Sequence, residues 1–307
     1  MRGGPLRLGL VGAGRWGQVY IKTLERLVGF SLVRLASNNS EIKSLVHEEC
    51  QISGNWQEVA SADDLDGVII ATPPELHAQM VLAAIAASNP VLVEKPLTID
   101  FDEARALLDV AEKQKAIVHV DHIHLYHPAF RAMKLLGKGL GQVQSIYSVA
   151  GDWGPFRYDI PVLWDRGCHD IAMCIDILGE EPIKASVRID ENQLTEYGPG
   201  ERITILLTFP SGVNANLEIS NLFKKKRRSF AVQYEEQTLI YDDINKVALS
   251  RKWNSGVVEN IDISKVLPLD QVLMDFATAI RRDKIDLEGL KIGIQVVNAL
   301  DLCQKSM

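Results

Sequence analysis

The chain has 307 residues, 47% of them hydrophobic and 24% charged, with a formal net charge of -7. That length exceeds what one core usually holds, so two domains are expected, and the acidic balance argues against a nucleic-acid binder, which needs a basic face. A membrane span is excluded by the lack of any run of about 18 apolar residues. Residues Met1 to Pro5 lead straight into a short apolar segment, without the long apolar stretch of a secretory signal. Cys50, Cys168, Cys174 and Cys303 are scattered, with no C-x-x-C pair, which fits a reducing compartment and predicts a cytoplasmic protein.

Leu6 to Val11 reads as a strand ending in glycines, followed by a helix from about Trp16 to Leu27. Phe30 to Ala36 and the buried-type run Gly67 to Ala71 read as further strands. His77 to Ala87, rich in Ala, Leu, Met and Val, reads as a helix lying close on a sheet. Val91 to Val93, the helix Phe101 to Gln114 and Ala116 to Val120 continue the alternation. Strands alternating with helices predict parallel pairing through right-handed crossovers, a doubly wound sheet. The pattern changes near Asp121. Pro128 to Leu136 and His169 to Leu178 are helical, but Gln144 to Ala150, Ile183 to Ile189, Ile203 to Phe209 and Asn214 to Ser220 are strand-like. Pro210-Ser211-Gly212 marks a hairpin turn between the last two. Ser229 to Tyr234 and Thr238 to Asp242 add strands, and helices at Leu269 to Arg281 and Leu290 to Cys303 close the chain. The expected architecture is α/β: a Rossmann domain over residues 1–121, then an α+β domain over 122–307 with a large, mostly antiparallel open sheet. An open sheet face commonly packs on a second copy, so a homo-dimer or homo-tetramer is expected.

Chemistry concentrates in three places. Gly12-Ala13-Gly14-Arg15-Trp16-Gly17 follows a strand and opens a helix, the context in which G-x-G-x-x-G has meaning. Gly12 allows the tight turn, Gly14 lets backbone approach a pyrophosphate, and Gly17 lets the helix press on the strand. The alternative is a glycine turn that binds nothing. An NAD-specific site usually has an acid at the end of the second strand; here Ser37-Asn38-Asn39-Ser40 stands there, and Glu41 comes late. Arg15 or Lys43 could meet a 2′-phosphate, and the run could equally be a polar loop capping the next helix. NAD and NADP both stay open.

Ala71-Thr72-Pro73-Pro74 and Val93-Glu94-Lys95-Pro96 lie at strand carboxyl ends, where open α/β sheets bind ligands. A lone lysine is ordinarily a solvated charge, but Lys95 at such a position is a candidate proton carrier or carbonyl polariser. In Trp164-Asp165-Arg166-Gly167-Cys168-His169-Asp170, Asp165 and His169 share a face if the helix begins this early. A helix N-terminus would then keep His169 neutral. Taken singly, His169 reads as a core or capping residue and Asp165 as an N-cap. His122, His124 and His127 invite a metal reading, with His122 and His124 on one face of a strand. They match no metal-ligand spacing, so no metal is expected and they line a substrate cleft or satisfy backbone groups.

Gly12-x-Gly14-x-x-Gly17, Glu94-Lys95-Pro96 and Asp165-x-Gly167-x-His169, in that order, resemble the glucose–fructose oxidoreductase/inositol dehydrogenase/rhizopine-catabolism family of NAD(P)-dependent enzymes. Thr72-Pro73-Pro74 with His77, His127-Pro128-Ala129 and Phe209-Pro210-Ser211-Gly212 agree, so the resemblance covers essentially the whole chain. It implies a cofactor site of Gly12, Gly14, Arg15, Trp16, Gly17, Ser37, Asn38, Thr72, Pro73, His77, Glu94 and Lys95, with Trp164 and Asp165 about the substrate; His122 and His124, expected to line the same cleft, depart from the Asn, Gln or Arg that many relatives place there. By the same resemblance, Lys95, Asp165 and His169 are catalytic: hydride passes between nicotinamide and a sugar or nucleotide-sugar carbinol while His169 exchanges the hydroxyl proton and Lys95 polarises the oxygen. Many relatives carry an Asp in the helical turn after the histidine, where this chain has Met173, flanked by Asp170 and Asp176. The run Lys224-Lys225-Lys226-Arg227-Arg228 either meets a substrate diphosphate or is a solvated loop. Rival expectations are a keto-sugar or other ketone or imine reductase, a glycoside-cleaving enzyme that holds NAD tightly for transient oxidation, and a cofactor-binding regulator without turnover.

Overall fold

In the computed structural model, residues 4–282 and 285–307 are described. They fall into two compact units, one comprising the residues up to His122 with Leu269–Val297, the other Ile123–Pro268 with Asn298–Met307.

The first unit opens with β1 (Leu6–Val11), α1 (Arg15–Arg26), β2 (Phe30–Ala36), β3 (Gln51–Ser53) and α2 (Trp56–Ala60). It continues with β4 (Gly67–Ile70), α3 (His77–Ala86), β5 (Val91–Glu94), α4 (Phe101–Gln114) and β6 (Val118–Asp121). All six strands are parallel, in the order β3-β2-β1-β4-β5-β6. Both faces of such a sheet are covered, which is why Val68-Ile69-Ile70 and Val91-Leu92-Val93 are unbroken apolar runs with no exposure. The strand order reverses between β1 and β4, and the crevice beyond their carboxyl ends is where a doubly wound fold binds its ligand. β3 and α2 escape the sequence pattern because they are short and too polar to show a period.

The second unit contains α5 (Pro128–Gly137), β7 (Ser145–Trp153), α6 (Cys168–Leu178) and strands β8 (Lys184–Thr195), β9 (Gly198–Thr208), β10 (Asn214–Ser220), β11 (Leu222–Gln233), β12 (Gln237–Tyr241), β13 (Leu249–Trp253) and β14 (Val258–Asn260). They form one eight-stranded sheet in the order β14-β13-β12-β11-β7-β10-β9-β8, antiparallel except where β7 meets β10. Register separates its faces. Val232, Ile146, Ala215, Leu207 and Ala185 lie opposite one another across five strands and are all buried, whereas the next row includes exposed Tyr147, Asn216 and Leu206. His127 caps α5 by accepting from the Ala129 amide at 3.1 Å, with Pro128 in the first turn.

Two helices end the chain, α7 (Pro268–Arg282) and α8 (Glu288–Lys305). Chain order alone predicts them with the second half. Residues 269–297 instead pack with the first unit. Arg26 forms a two-pronged ion pair with Asp270, and α8 lies so close to the parallel sheet that a Cβ on Gly293 would stand 2.8 Å from Val120 Cγ2. No helix among the described residues is long and apolar enough to cross a membrane.

Candidate active site

The glycine turn has the geometry its spacing predicts. Gly12 sits at φ +98°, and a Cβ there would lie 2.5 Å from the Ala71 carbonyl oxygen. A Cβ on Gly17 would lie 2.1 Å from the Gly12 oxygen, so only glycine lets α1 close on the turn. Gly14 differs: a Cβ would meet nothing within 4 Å. Its smallness serves no packing, and the space it leaves fits the approach of a pyrophosphate. The first turn of α1 carries no acid and no side-chain cap, and Gly14, Arg15 and Trp16 are exposed, so its amides and one guanidinium are open to an anion. β2 runs out at Ala36 into half-buried Ser37 and exposed Asn38, with no carboxylate among Ser37 to Ser40. Ser37 Oγ accepts from the Asn39 amide and Asn39 Oδ1 from the Glu41 amide, so this run does cap the following short turn, as its composition allows.

Half-buried Thr72 and exposed Pro73 follow β4. His77 is fully buried, with Nδ1 2.9 Å from the Pro96 oxygen and Nε2 2.9 Å from the Thr72 oxygen. Burial holds its pKa down, so the neutral ring donates to one of these carbonyls at a time. The ring therefore ties the Thr72 loop to the loop carrying Lys95. Lys95 itself is half-buried at the end of β5. Beside it, Glu94 and Asp121 are buried carboxyls, and Tyr20 donates to Asp121 Oδ2 at 2.5 Å. Burial, then repulsion from Asp121, pushes Glu94 up to about 8, and burial pushes Asp121 up to about 6, the Lys95 ammonium restraining both. His122 is 2% exposed, and burial with the Lys95 charge drives it down to about 3.

In the second unit, Leu163–Gly167 forms a turn of π-helix that runs directly into α6. Helical backbone thus begins near Val162, and the Trp164 and Asp165 amides already donate to the Pro161 oxygen, each at 3.0 Å. His169 lies within continuous helix, so the free N-terminus expected to keep it neutral is not at His169. Its ring meets the edge of His124, with centroids 5.1 Å apart. His124 is not on a strand with His122: β6 ends at Asp121, and His124 sits in a 3-10 turn, Ile123–Tyr126. Its Nδ1 is 2.9 Å from the Tyr241 hydroxyl and 4.0 Å from Asp243 Oδ2. Burial, with Asp243, raises the Tyr241 hydroxyl well above its usual range, so it stays protonated and able to donate. Trp164 is buried, and its indole N–H donates to Gln304 Oε1 at 2.5 Å; its ring edge is thereby committed to the fold.

Asp165 is half-buried and pairs with Arg157 at 3.4 Å. Both line a small cleft of about 190 Å³ together with Arg166, Glu201 and Asn221. Arg166 is drawn to Asp152 and the Gly154 oxygen. The basic run divides: Lys224, Lys225, Lys226 and Arg227 are exposed where the β11 register breaks, while Arg228 turns inward onto Asp170 at 3.0 Å. Tyr20, Tyr241, Asp243 and Arg157 carry no local motif, and Arg228 stood out only as part of the basic run, not as the partner of Asp170. Asp170 was legible only as a flank of His169.

Comparison with known proteins matches this anatomy. Residues 6–122 match the family model for an oxidoreductase family with an NAD-binding Rossmann fold, and residues 132–240 match the GFO/IDH/MocA C-terminal domain. A crystal structure of a protein assigned as an oxidoreductase, from Magnetospirillum magnetotacticum MS-1, superposes with TM-score 0.91 at 38% identity, covering 97% of this chain and 99% of that one. The chain is also 25% identical over 286 residues to UDP-N-acetylglucosamine 3-dehydrogenase of Acidithiobacillus ferrooxidans, covering 90% of this chain and 88% of the relative. It is 28% identical over 223 residues to inositol 2-dehydrogenase of Rhizobium meliloti, 68% of this chain and 67% of the relative. The chain belongs to the glucose–fructose oxidoreductase/inositol dehydrogenase/rhizopine-catabolism family of nicotinamide-dependent oxidoreductases.

Proposed function

We propose that this enzyme transfers a hydride between nicotinamide and the carbinol carbon of a sugar or nucleotide-sugar, with Lys95 polarising the oxygen and His169 exchanging its proton. The observation that carries the reading is Lys95 itself: a half-buried cation at a strand carboxyl end, set against buried carboxyls and anchored through the loop that His77 holds. The bound dinucleotide supplies the hydride-exchanging carbon. The residues do the rest. Gly14 and the open amides of α1 receive the pyrophosphate, Asp165 with Arg157 orients hydroxyls, and His124 with Tyr241 steadies the ring of His169. The names of the relatives, a UDP-N-acetylglucosamine 3-dehydrogenase and an inositol 2-dehydrogenase, support a polyhydroxylated ring as substrate.

Fluorescence titration with NADH and NADPH tests the cofactor site first. A panel of sugars, inositols and nucleotide-sugars, assayed in both directions, then identifies the substrate class. Lys95→Ala and His169→Ala are each expected to lower turnover by about 10²–10⁴-fold with cofactor affinity nearly unchanged. Wild-type turnover in both variants would overturn the assignment, and cofactor binding without turnover on any substrate would favour a regulator.

A further inference from the structure

A buried acidic pair behind Lys95 is not used by the proposed hydride transfer. Glu94 and Asp121 end neighbouring parallel strands and are paired in register, so their carboxyls leave the sheet side by side. Glu94 is 6% exposed and Asp121 1%. Tyr20, with no exposure, reaches from α1 to donate to Asp121 Oδ2, and the Lys95 amide donates to Glu94 Oε2 at 3.2 Å. The other two oxygens, Glu94 Oε1 and Asp121 Oδ1, are buried with no hydrogen-bond partner. Two ionised carboxylates placed like this would repel each other out of water, each with an unserved oxygen, and one proton between them relieves both costs.

The groups acting on the pair are the Tyr20 hydroxyl and the Lys95 ammonium, with His122 adjoining as a neutral ring. We propose that Glu94 and Asp121 share a single proton beside Tyr20, and that the one negative charge remaining holds and poises the Lys95 ammonium. Tyr20, Glu94 and Asp121 are then positioning residues, acting through the lysine. The upward displacement of both carboxyls agrees with a proton retained near neutrality. The catalytic importance of Lys95 rests on the function proposed above; the shared proton does not.

The test needs no substrate. Infrared spectroscopy of the full-length protein near neutral pH, in light and heavy water, is expected to show a protonated-carboxyl band that both Glu94→Gln and Asp121→Asn shift or abolish, since a shared proton senses both carboxyls. No such band in the wild type, or one that either variant leaves unmoved, overturns the sharing. NMR of reductively methylated lysines, assigned with Lys95→Gln, then reads the Lys95 titration. Each single variant keeps one negative charge and should move it by less than about 0.5 unit, whereas Glu94→Gln/Asp121→Asn should lower it by about 1–3 units. An unmoved Lys95 in a folded, cofactor-binding double variant overturns the poising role. If that variant does not fold, the single-variant spectra still decide the proton. If Lys95→Ala retains turnover, the proposed function fails while both spectroscopic results stand.

Discussion

Removing Asp170 should damage the second unit more than its size suggests. Its carboxylate has no exposure and takes Arg228 Nη1 at 3.0 and 3.2 Å through its two oxygens, together with the Ser148 hydroxyl. Burial works to lower the Arg228 pKa, but Asp170, Asp243 and Tyr241 outweigh it, so the guanidinium stays charged. Arg228 is 11% exposed, too enclosed for water to replace the lost partner. Asp170→Ala therefore leaves a buried cation uncompensated, at a cost of about 3–5 kcal/mol. The Ser148 hydroxyl loses one acceptor but keeps the Ser229 oxygen at 3.1 Å, so the stranded guanidinium carries the cost. At roughly 2–4 °C per kcal/mol for a unit of this size, the melting temperature should fall by roughly 6–20 °C. The assay is thermal and urea unfolding, followed by circular dichroism and by tryptophan fluorescence because the two units need not melt together. Asp170→Ala/Arg228→Met removes both charges and should recover most of the loss. A single variant within about 1 kcal/mol of wild type, or a double variant no better than the single, would refute the reasoning.

Gly14→Val should abolish dinucleotide binding while melting near the wild-type temperature, because its Cβ meets no protein atom; retained binding would refute the cradle. Gly17→Ala should instead lose stability through the 2.1 Å approach to the Gly12 oxygen, as the melting temperature would report. Glu94 makes stability depend on pH with a definite sign. Its folded pKa is raised from 4.5 to about 8, so between those values the folded chain keeps a proton that the unfolded chain releases. Stability should thus fall as pH rises through that window, by up to about 1.4 kcal/mol per unit from this group, and Glu94→Gln should flatten the slope. Identical slopes in the two proteins would sink that reading. The exposed row containing Tyr147 and Leu206 should be covered by a second copy, so light scattering should report a dimer or tetramer, and a monomer would refute it.

Local pattern determined much of this protein. Buried-strand runs and Ala-rich helices announced the parallel sheet, β1, β2, α4 and β10 began and ended where periodicity placed them, and the glycine spacing located the turn that only glycine can make. The order of Glu94-Lys95-Pro96 and Asp165-x-Gly167-x-His169 identified the family, because chemistry tied to strand and helix ends leaves residues at fixed short spacings. Tertiary structure decided the rest. Tyr20 and Asp121 are 101 residues apart, and Arg228 and Asp170 are 58 apart; neither pairing has a local signature, since burial and partner choice arise only when distant elements pack. The same holds for the grouping of residues 269–297 with the first unit, and for His77, whose fully buried ring holds two loops. Periodicity reports which face of an element is apolar. What that face meets, and whether a charge beneath it is neutralised, depends on contacts made across the whole chain.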